Sequence, residues 1–351
     1  MKQLRLLLFP FSIVYGIVIW IRNRLFDLQI IKSKNYTIPT IVVGNLAVGG
    51  TGKSPMTEFI IQVLKDKYRV ATLSRGYGRK TKGFKYVNIA STADEVGDEP
   101  LQFKNKFPNI TVSVCEDRCI GVETLMNSHD VIVLDDAFQH RRLKPTFSIL
   151  LFEYSSCLHP MFVLPMGNFR DLPAESKRAN MLVVTKTPSD ASDSEKELIK
   201  NKLIQKSAVT NVYFTSIVYG DLISINELEA KITPNTTVLL LTGIANPKPL
   251  IKHLKPLIND MEHLAFSDHH AFTRNDILTI RQRFEQIKNR SKIIITTEKD
   301  AQRIRTPEFL NILNDIPVAY IPIEIAFEDK SISKSVQQQL LSICERSVNE
   351  S

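Results

Sequence analysis

Residues 38–64 read IPTIVVGNLAVGGTGKSPMTEFIIQVL. The opening run is short, apolar and β-branched, as a buried strand requires, and the closing run carries apolar residues at helical spacing. Between them Gly49, Gly50, Thr51, Gly52, Lys53 and Ser54 form a glycine-rich strand-to-helix turn. Glycines let backbone N–H groups converge on phosphate oxygens, and the start of the helix adds its dipole. Lys53 is then placed to reach the β- and γ-phosphates of ATP, and the Ser54 hydroxyl to bind Mg2+. The strict GxxxxGK[ST] spacing is not met, because Ala47 stands at its first glycine; the Gly49-Gly50 pair supplies the missing freedom. The plainer reading, a glycine turn that merely caps a helix, does not explain a Gly-Lys-Ser ending in this strand–helix context.

Such a loop needs a second strand that brings an acid to the metal. Residues 131–136, VIVLDD, supply it, and both Asp135 and Asp136 stand as candidate Mg2+ ligands. The pair of motifs implies a nucleoside triphosphatase or a kinase.

Working outward, short apolar runs alternate with amphipathic stretches. Strands are expected at 38–44, 69–73, 110–114, 131–135, 147–152 and 181–185, and helices at 53–66, 98–107, 116–128 and 193–206. This alternation predicts an α/β fold with a parallel sheet covered by helices on both faces. Residues 211–236 break the rhythm and read as paired extended segments. A second α/β run follows, with strands near 237–242, 291–297 and 317–323 and helices near 247–257, 273–287 and 332–346. The expected organisation is therefore an N-terminal segment 1–34, a core domain 35–210, a β-ribbon 211–236 and a second domain 237–351.

The N-terminal segment holds a sixteen-residue stretch without charge, LLLFPFSIVYGIVIWI from Leu6 to Ile21. As a helix it is about 24 Å long, short of the roughly 30 Å hydrocarbon core of a bilayer. Lys2, Arg5, Arg22, Arg24, Lys32 and Lys34 face only Asp27 across residues 1–34, although the whole chain of 351 residues carries a net charge of just +8. Cations bracketing an apolar run that itself contains the interface-loving Tyr15 and Trp20 suit a membrane surface. A buried core helix has the same length, and a cleaved leader would need a small-residue site after Ile21 that is missing. Membrane association is the expectation, and nucleic acid is not an expected partner. Four cysteines without a CxxC pair fit a reducing compartment.

Other polar clusters have plain readings on their own. Ser74 to Arg79, SRGYGR, is a basic turn, and Gly97-Asp98-Glu99-Pro100 opens a helix with Asp98 in N-cap style. Glu116-Asp117-Arg118 and Gly167-Asn168-Phe169-Arg170-Asp171 each set an arginine in a turn. Adjacent His269 and His270 in FSDHHAF have no partners at zinc spacing. Thr296 to Asp300, TTEKD, sits at a strand end, where α/β proteins bind ligands.

Taken in order, GNLAVGGTGKSP, LSRGYGR, VGDEP, EDR, DDAFQHRRL, PMGNFRD, TGIANP, FSDHHAF and TTEKDA resemble the blocks of the tetraacyldisaccharide 4′-kinase family, over most of the chain. The resemblance implies two α/β/α domains, the first of P-loop NTPase type, joined by a β-ribbon, with a membrane-associated N-terminal helix. It implies transfer of the ATP γ-phosphate to the 4′-hydroxyl of an acylated glucosamine disaccharide 1-phosphate, at the cytoplasmic face of the bacterial inner membrane. On this reading Asp98 is the catalytic base and His269 its partner. Lys53 and Ser54 serve the phosphates and metal, Asp135 and Asp136 the metal, and Arg118 and Arg170 the phosphate charge. Phe169 and Asp171 depart from the aliphatic residue and glutamate usual in the family, which leaves the role of Asp171 open. The rival reading is a membrane-bound P-loop ATPase switch, which gives Asp98, the histidine block and the second α/β run no task.

Overall fold

The structure, a computed structural model, describes residues 5, 7–268 and 270–349. Eight strands follow one another through the first part of the chain: β1 (Thr40–Asn45), β2 (Val70–Ser74), β3 (Lys85–Tyr86), β4 (Thr111–Val114), β5 (Val131–Asp135), β6 (Phe147–Glu153), β7 (Met181–Thr185) and β8 (Val212–Tyr219). Six more follow among the described residues: β9 (Ile223–Ser224), β10 (Thr237–Thr242), β11 (Asp260–Ala265), β12 (Lys292–Thr297), β13 (Val318–Ile321) and β14 (Ile323–Phe327). The larger sheet runs β14-β8-β7-β6-β1-β5-β2-β4-β3 and the smaller β11-β10-β12-β13-β9. Their central strands are parallel, with antiparallel pairing at β14–β8, β3–β4 and β13–β9.

β1, β5, β7 and β10 are buried along their whole length, because helices cover both faces. Side chains alternate between two cores: Val42, Leu73 and Leu134 enter one, while Ile41, Val43, Ile60 and Leu64 enter the other. The expected α/β class is thus observed, and the smaller sheet repeats the scheme with Leu239 and Leu241 on one face and Val238 and Leu240 on the other.

The crossing between the sheets differs from the ribbon of paired extended segments expected in 211–236. β8 joins β7 in the larger sheet and β9 joins β13 in the smaller, so the two segments do not pair with each other. The antiparallel partner of β8 is β14, with Tyr219 opposite Ile323. Only Pro322 separates β13 from β14, and a residue without an N–H interrupts the ladder there. The chain from 323 onward therefore returns to the larger sheet, although sequence grouped it with the second run. The final helix Lys330–Asn349 buries Val336, Leu340 and Cys344 in the same core as Ile60 and Leu64.

The N-terminal helix Phe9–Asp27 is inverted relative to a core helix. Its Ser12 and Asn23 are buried, whereas Phe11, Val14 and Val18 are about 60% exposed. This rules out the reading as a buried core helix. Among the described residues no helix is long and apolar enough to cross a membrane. The four cysteines are free and buried.

Candidate active site

β1 and β5 lie side by side with Val43 opposite Asp135, so the glycine turn and the acidic strand end emerge together at the carboxyl edge of the sheet. Gly52 caps the helix Lys53–Leu64 in a left-handed conformation (φ +82°), which a side chain would disfavour. The turn is tied down from several sides. Asn45 Nδ2 donates to Thr51 Oγ1 at 2.7 Å, and Thr185 Oγ1 donates to the Thr51 carbonyl at 2.8 Å. The Val48 N–H donates to the Asn168 carbonyl at 2.8 Å and the Arg170 N–H to the Leu46 carbonyl at 2.7 Å. The GNFRD block therefore straps the phosphate turn along its main chain.

The two consecutive aspartates diverge because Asp136 adopts a positive φ of 46°. Asp135, 2% exposed, turns back to accept from Thr57 Oγ1 at 3.3 Å. Asp136 faces the turn: Lys53 Nζ lies 4.0 Å away, and the Arg170 guanidinium grips both carboxylate oxygens. Arg170 also donates to Asn45 Oδ1 at 2.6 Å. Arg118, by contrast, is buried beneath the turn. It donates to the Cys115 carbonyl at 2.9 Å and reaches the Asp135 and Asp136 carbonyls at 3.4 Å.

Across the turn, the helix Asp98–Lys106 presents its first two residues. Ser54 Oγ donates to Glu99 Oε1 at 2.9 Å, and Lys299 Nζ donates to the same oxygen at 2.9 Å. Arg303 makes a two-point ion pair with Asp98, its Nε donating to Oδ1 at 2.9 Å. His269 lies outside the described residues.

The electrostatics of this group are lopsided. Burial, helped by the charges of Glu99 and Asp136, pushes the Asp135 carboxyl up to about 7. Burial also works against the charge of Glu99, but Lys299, Lys53 and the Ser54 hydroxyl outweigh it and hold Glu99 down at about 2. The carboxylates of Glu99, Asp135 and Asp136 and the Ser54 hydroxyl cluster here between Lys53 and Lys299, and their oxygens form a donor set that suits a hard divalent cation. Ser54, Asp135 and Glu99 have the chemistry to hold Mg2+.

Of the residues expected from sequence, Gly49 to Ser54, Asp135, Asp136 and Arg170 come together at one sheet edge, with Asp98 across from them on its helix. Arg118 sits one layer below. Sequence reasoning gave no site role of their own to Glu99, Lys299 and Arg303. The signals were present as the third letter of GDEP and the lysine of TTEKD, but the partner of each is some 200 residues away.

The N-terminal helix docks on the same loops. Tyr15 Oη donates to the Arg170 carbonyl at 2.9 Å, and Asn23 Nδ2 donates to Asp171 Oδ1 at 2.9 Å. Arg141 ties the Asn23 carbonyl at 2.9 Å and the Asp27 carboxylate at 2.6 Å. Asp171 is fully buried in this joint, so it anchors the helix one residue beyond Arg170.

Comparison with known proteins agrees with this layout. The family model described as tetraacyldisaccharide-1-P 4′-kinase matches residues 4–341. A tetraacyldisaccharide 4′-kinase of Flavobacterium psychrophilum is 45% identical over 344 residues, covering 96% of this chain and 97% of that protein. One from Phocaeicola vulgatus is 41% identical over 334 residues, covering 91% and 90%. In structure, the chain resembles a crystal form of LpxK from Aquifex aeolicus in complex with ATP, with TM-score 0.75, 26% identity and coverage of 97% and 99%. The chain belongs to the tetraacyldisaccharide 4′-kinase family of transferases.

Proposed function

We propose that the protein transfers the γ-phosphoryl group of ATP to the 4′-hydroxyl of a tetraacylated glucosamine disaccharide 1-phosphate, the lipid A precursor step that yields lipid IVA. The observation that carries this reading is the meeting of Lys53, Ser54, Asp136 and Arg170 at one sheet edge with the Asp98–Glu99 pair opposite. Lys53 and the N–H groups of the turn bind the β- and γ-phosphates. Ser54 and Asp135, with Glu99, would hold Mg2+, which would supply charge neutralisation at the phosphates. Asp136 keeps Lys53 and Arg170 aimed at the turn, and Arg170 offers its guanidinium to the equatorial oxygens of a loose transition state. Arg118 supports the acidic turn from below.

Asp98 takes the proton of the sugar hydroxyl, with His269 assigned to orient it. A carboxylate has about four lone-pair sites, so the two-point pair with Arg303 leaves acceptor capacity on each oxygen. The exposed apolar face of Phe9–Asp27 enters the cytoplasmic leaflet of the inner membrane, where the acyl chains hold the substrate, while its polar face stays docked on the Arg170 loop. We further read the chain as a P-loop kinase core and a second α/β unit built on β9–β13, crossed twice by the chain.

The test is transfer of labelled γ-phosphate to the disaccharide 1-phosphate lipid in detergent micelles, wild type against Asp98→Asn. General-base help is worth about 10²–10⁴-fold, so the variant should lose that much kcat while still binding ATP. ATP hydrolysis by wild type without labelled lipid would move the assignment to a nucleotide switch. Equal transfer by both proteins would leave Asp98 as the first residue of its helix and partner of Arg303, without the role of base.

A further inference from the structure

The helix Glu298–Ile304 follows β12 and carries the TTEKDA block, to which the reaction above gives no task. It lies against the helix Asp98–Lys106 and meets it through four side chains. Lys299 reaches Glu99 at 2.9 Å, Gln302 accepts from Asn105 at 2.5 Å, Glu298 pairs with Lys106 at 3.5 Å, and Arg303 holds Asp98 at two points. Positions 298, 299, 302 and 303 share one helical face, so a single surface delivers all four.

Arg303 is itself braced from behind. Its side chain is 8% exposed, and Nη1 donates to Asp300 Oδ1 at 3.2 Å. Asp300 is fully buried and accepts from the Gly243 N–H at 2.8 Å and from Thr297 Oγ1 at 2.7 Å. Gly243 belongs to the TGIANP block, and a Cβ there would come within 2.9 Å of Asp300 Oδ1. A continuous series of bonds therefore runs from the end of β10 through Asp300 and Arg303 to the Asp98 carboxylate. A planar guanidinium with two parallel N–H donors fixes the plane of a carboxylate, which one ammonium cannot do. Lys299 makes the corresponding contact on Glu99, the neighbour of Ser54.

We propose that Arg303, braced by Asp300, is the positioning residue for Asp98, and that Lys299 positions Glu99 beneath Ser54. The smaller sheet thereby sets the orientation of the acidic groups that act on the transferred phosphate. This rests on the reading of Asp98 as base.

The experiment measures lipid phosphorylation by the full chain in micelles for Arg303→Gln, Arg303→Lys, Asp98→Asn and the Asp98→Asn/Arg303→Gln double variant. A misplaced catalytic group costs on the order of 10²-fold, so Arg303→Gln should lower kcat by that factor, with KM for ATP moving less than about threefold. Arg303→Lys should fall between it and wild type, and the double variant should be no slower than Asp98→Asn alone. Wild-type kcat in Arg303→Gln beside a crippled Asp98→Asn overturns the proposal and leaves the base assignment standing. Losses that multiply in the double variant also overturn it, because Arg303 then acts apart from Asp98. Full activity of Asp98→Asn defeats the base assignment itself. Should Arg303→Gln not fold, Arg303→Lys decides: an unchanged kcat overturns the proposal, and a lowered kcat with unchanged KM supports it.

Discussion

Two helices flank the candidate site, Phe9–Asp27 and Glu298–Ile304, and they are attached by opposite means. The first turns its polar residues inward: Ser12, Tyr15 and Asn23 bond the loops around Arg170, and Phe11, Ile13, Val14, Ile17, Val18 and Ile21 point away from the protein. The second presents charged and amide groups, Glu298, Lys299, Gln302 and Arg303, to charged and amide groups on the helix Asp98–Lys106. Buried hydrogen bonds fix a helix in one pose, and the apolar face left outside is suited to lipid. Ion pairs respond to pH and to neighbouring charge, which suits a contact placed beside phosphates.

Breaking the first attachment should have the largest effect. Asp171→Ala removes the carboxylate between Asn23 and Arg178, and loss of one partner from such a buried group costs about 3 kcal/mol; urea unfolding measures it. A loss within 0.5 kcal/mol would mean that the joint is not what holds the helix. Val14→Glu with Val18→Glu alters only the outward face, both positions being about 60% exposed. Each valine entering lipid contributes about 1.5 kcal/mol or more, so flotation with phosphatidylglycerol–phosphatidylethanolamine vesicles should fall more than tenfold while the melting temperature stays put. Undiminished flotation would take the apolar face out of membrane binding. Asn23→Ala should cost about 1–2 kcal/mol, less than Asp171→Ala, since the Leu172 N–H still reaches Asp171.

The smallest effect concerns the charged attachment. Burial and the nearby Glu298 charge push Glu58 up to about 7 despite the pull of Lys106, which bridges both acids. A carboxyl whose folded value is raised binds more protons folded than unfolded. Its contribution is therefore complete below about 4.5 and declines as pH rises toward 7. Melting temperature should drop by about 1–2 °C between pH 5 and 8 from this source, and Glu58→Gln should flatten that drop. An unchanged slope in the variant would place the pH dependence elsewhere.

What could be read beforehand follows from range. The phosphate turn, Asp135 and Asp136 are legible because each lies within one strand and the residues that follow it, and parallel α/β geometry brings strand ends together. The apolar N-terminal run announces its surface by composition alone. Glu99, Lys299 and Arg303 are not legible in this way, since a glutamate and a lysine 200 positions apart look like ordinary surface charge until two helices meet. Asp171 reads as a turn residue, and only its full burial against Asn23 reveals a joint. The return of 323–327 to the larger sheet hangs on a single proline between two apolar runs, a boundary that periodicity does not register.

That return has a consequence during synthesis. β8 is finished at Tyr219, but its partner β14 begins at Ile323, about a hundred residues later. At 5–20 residues per second the ribosome needs roughly 5–20 s to deliver it. Throughout that interval the nascent chain carries an open sheet edge at Val212–Tyr219 and an uncovered face where Val336 and Leu340 belong. Strand β14 and the helix Lys330–Asn349 therefore act as the closure of the first unit to be made, and a product ending before Ile323 would expose both surfaces at once.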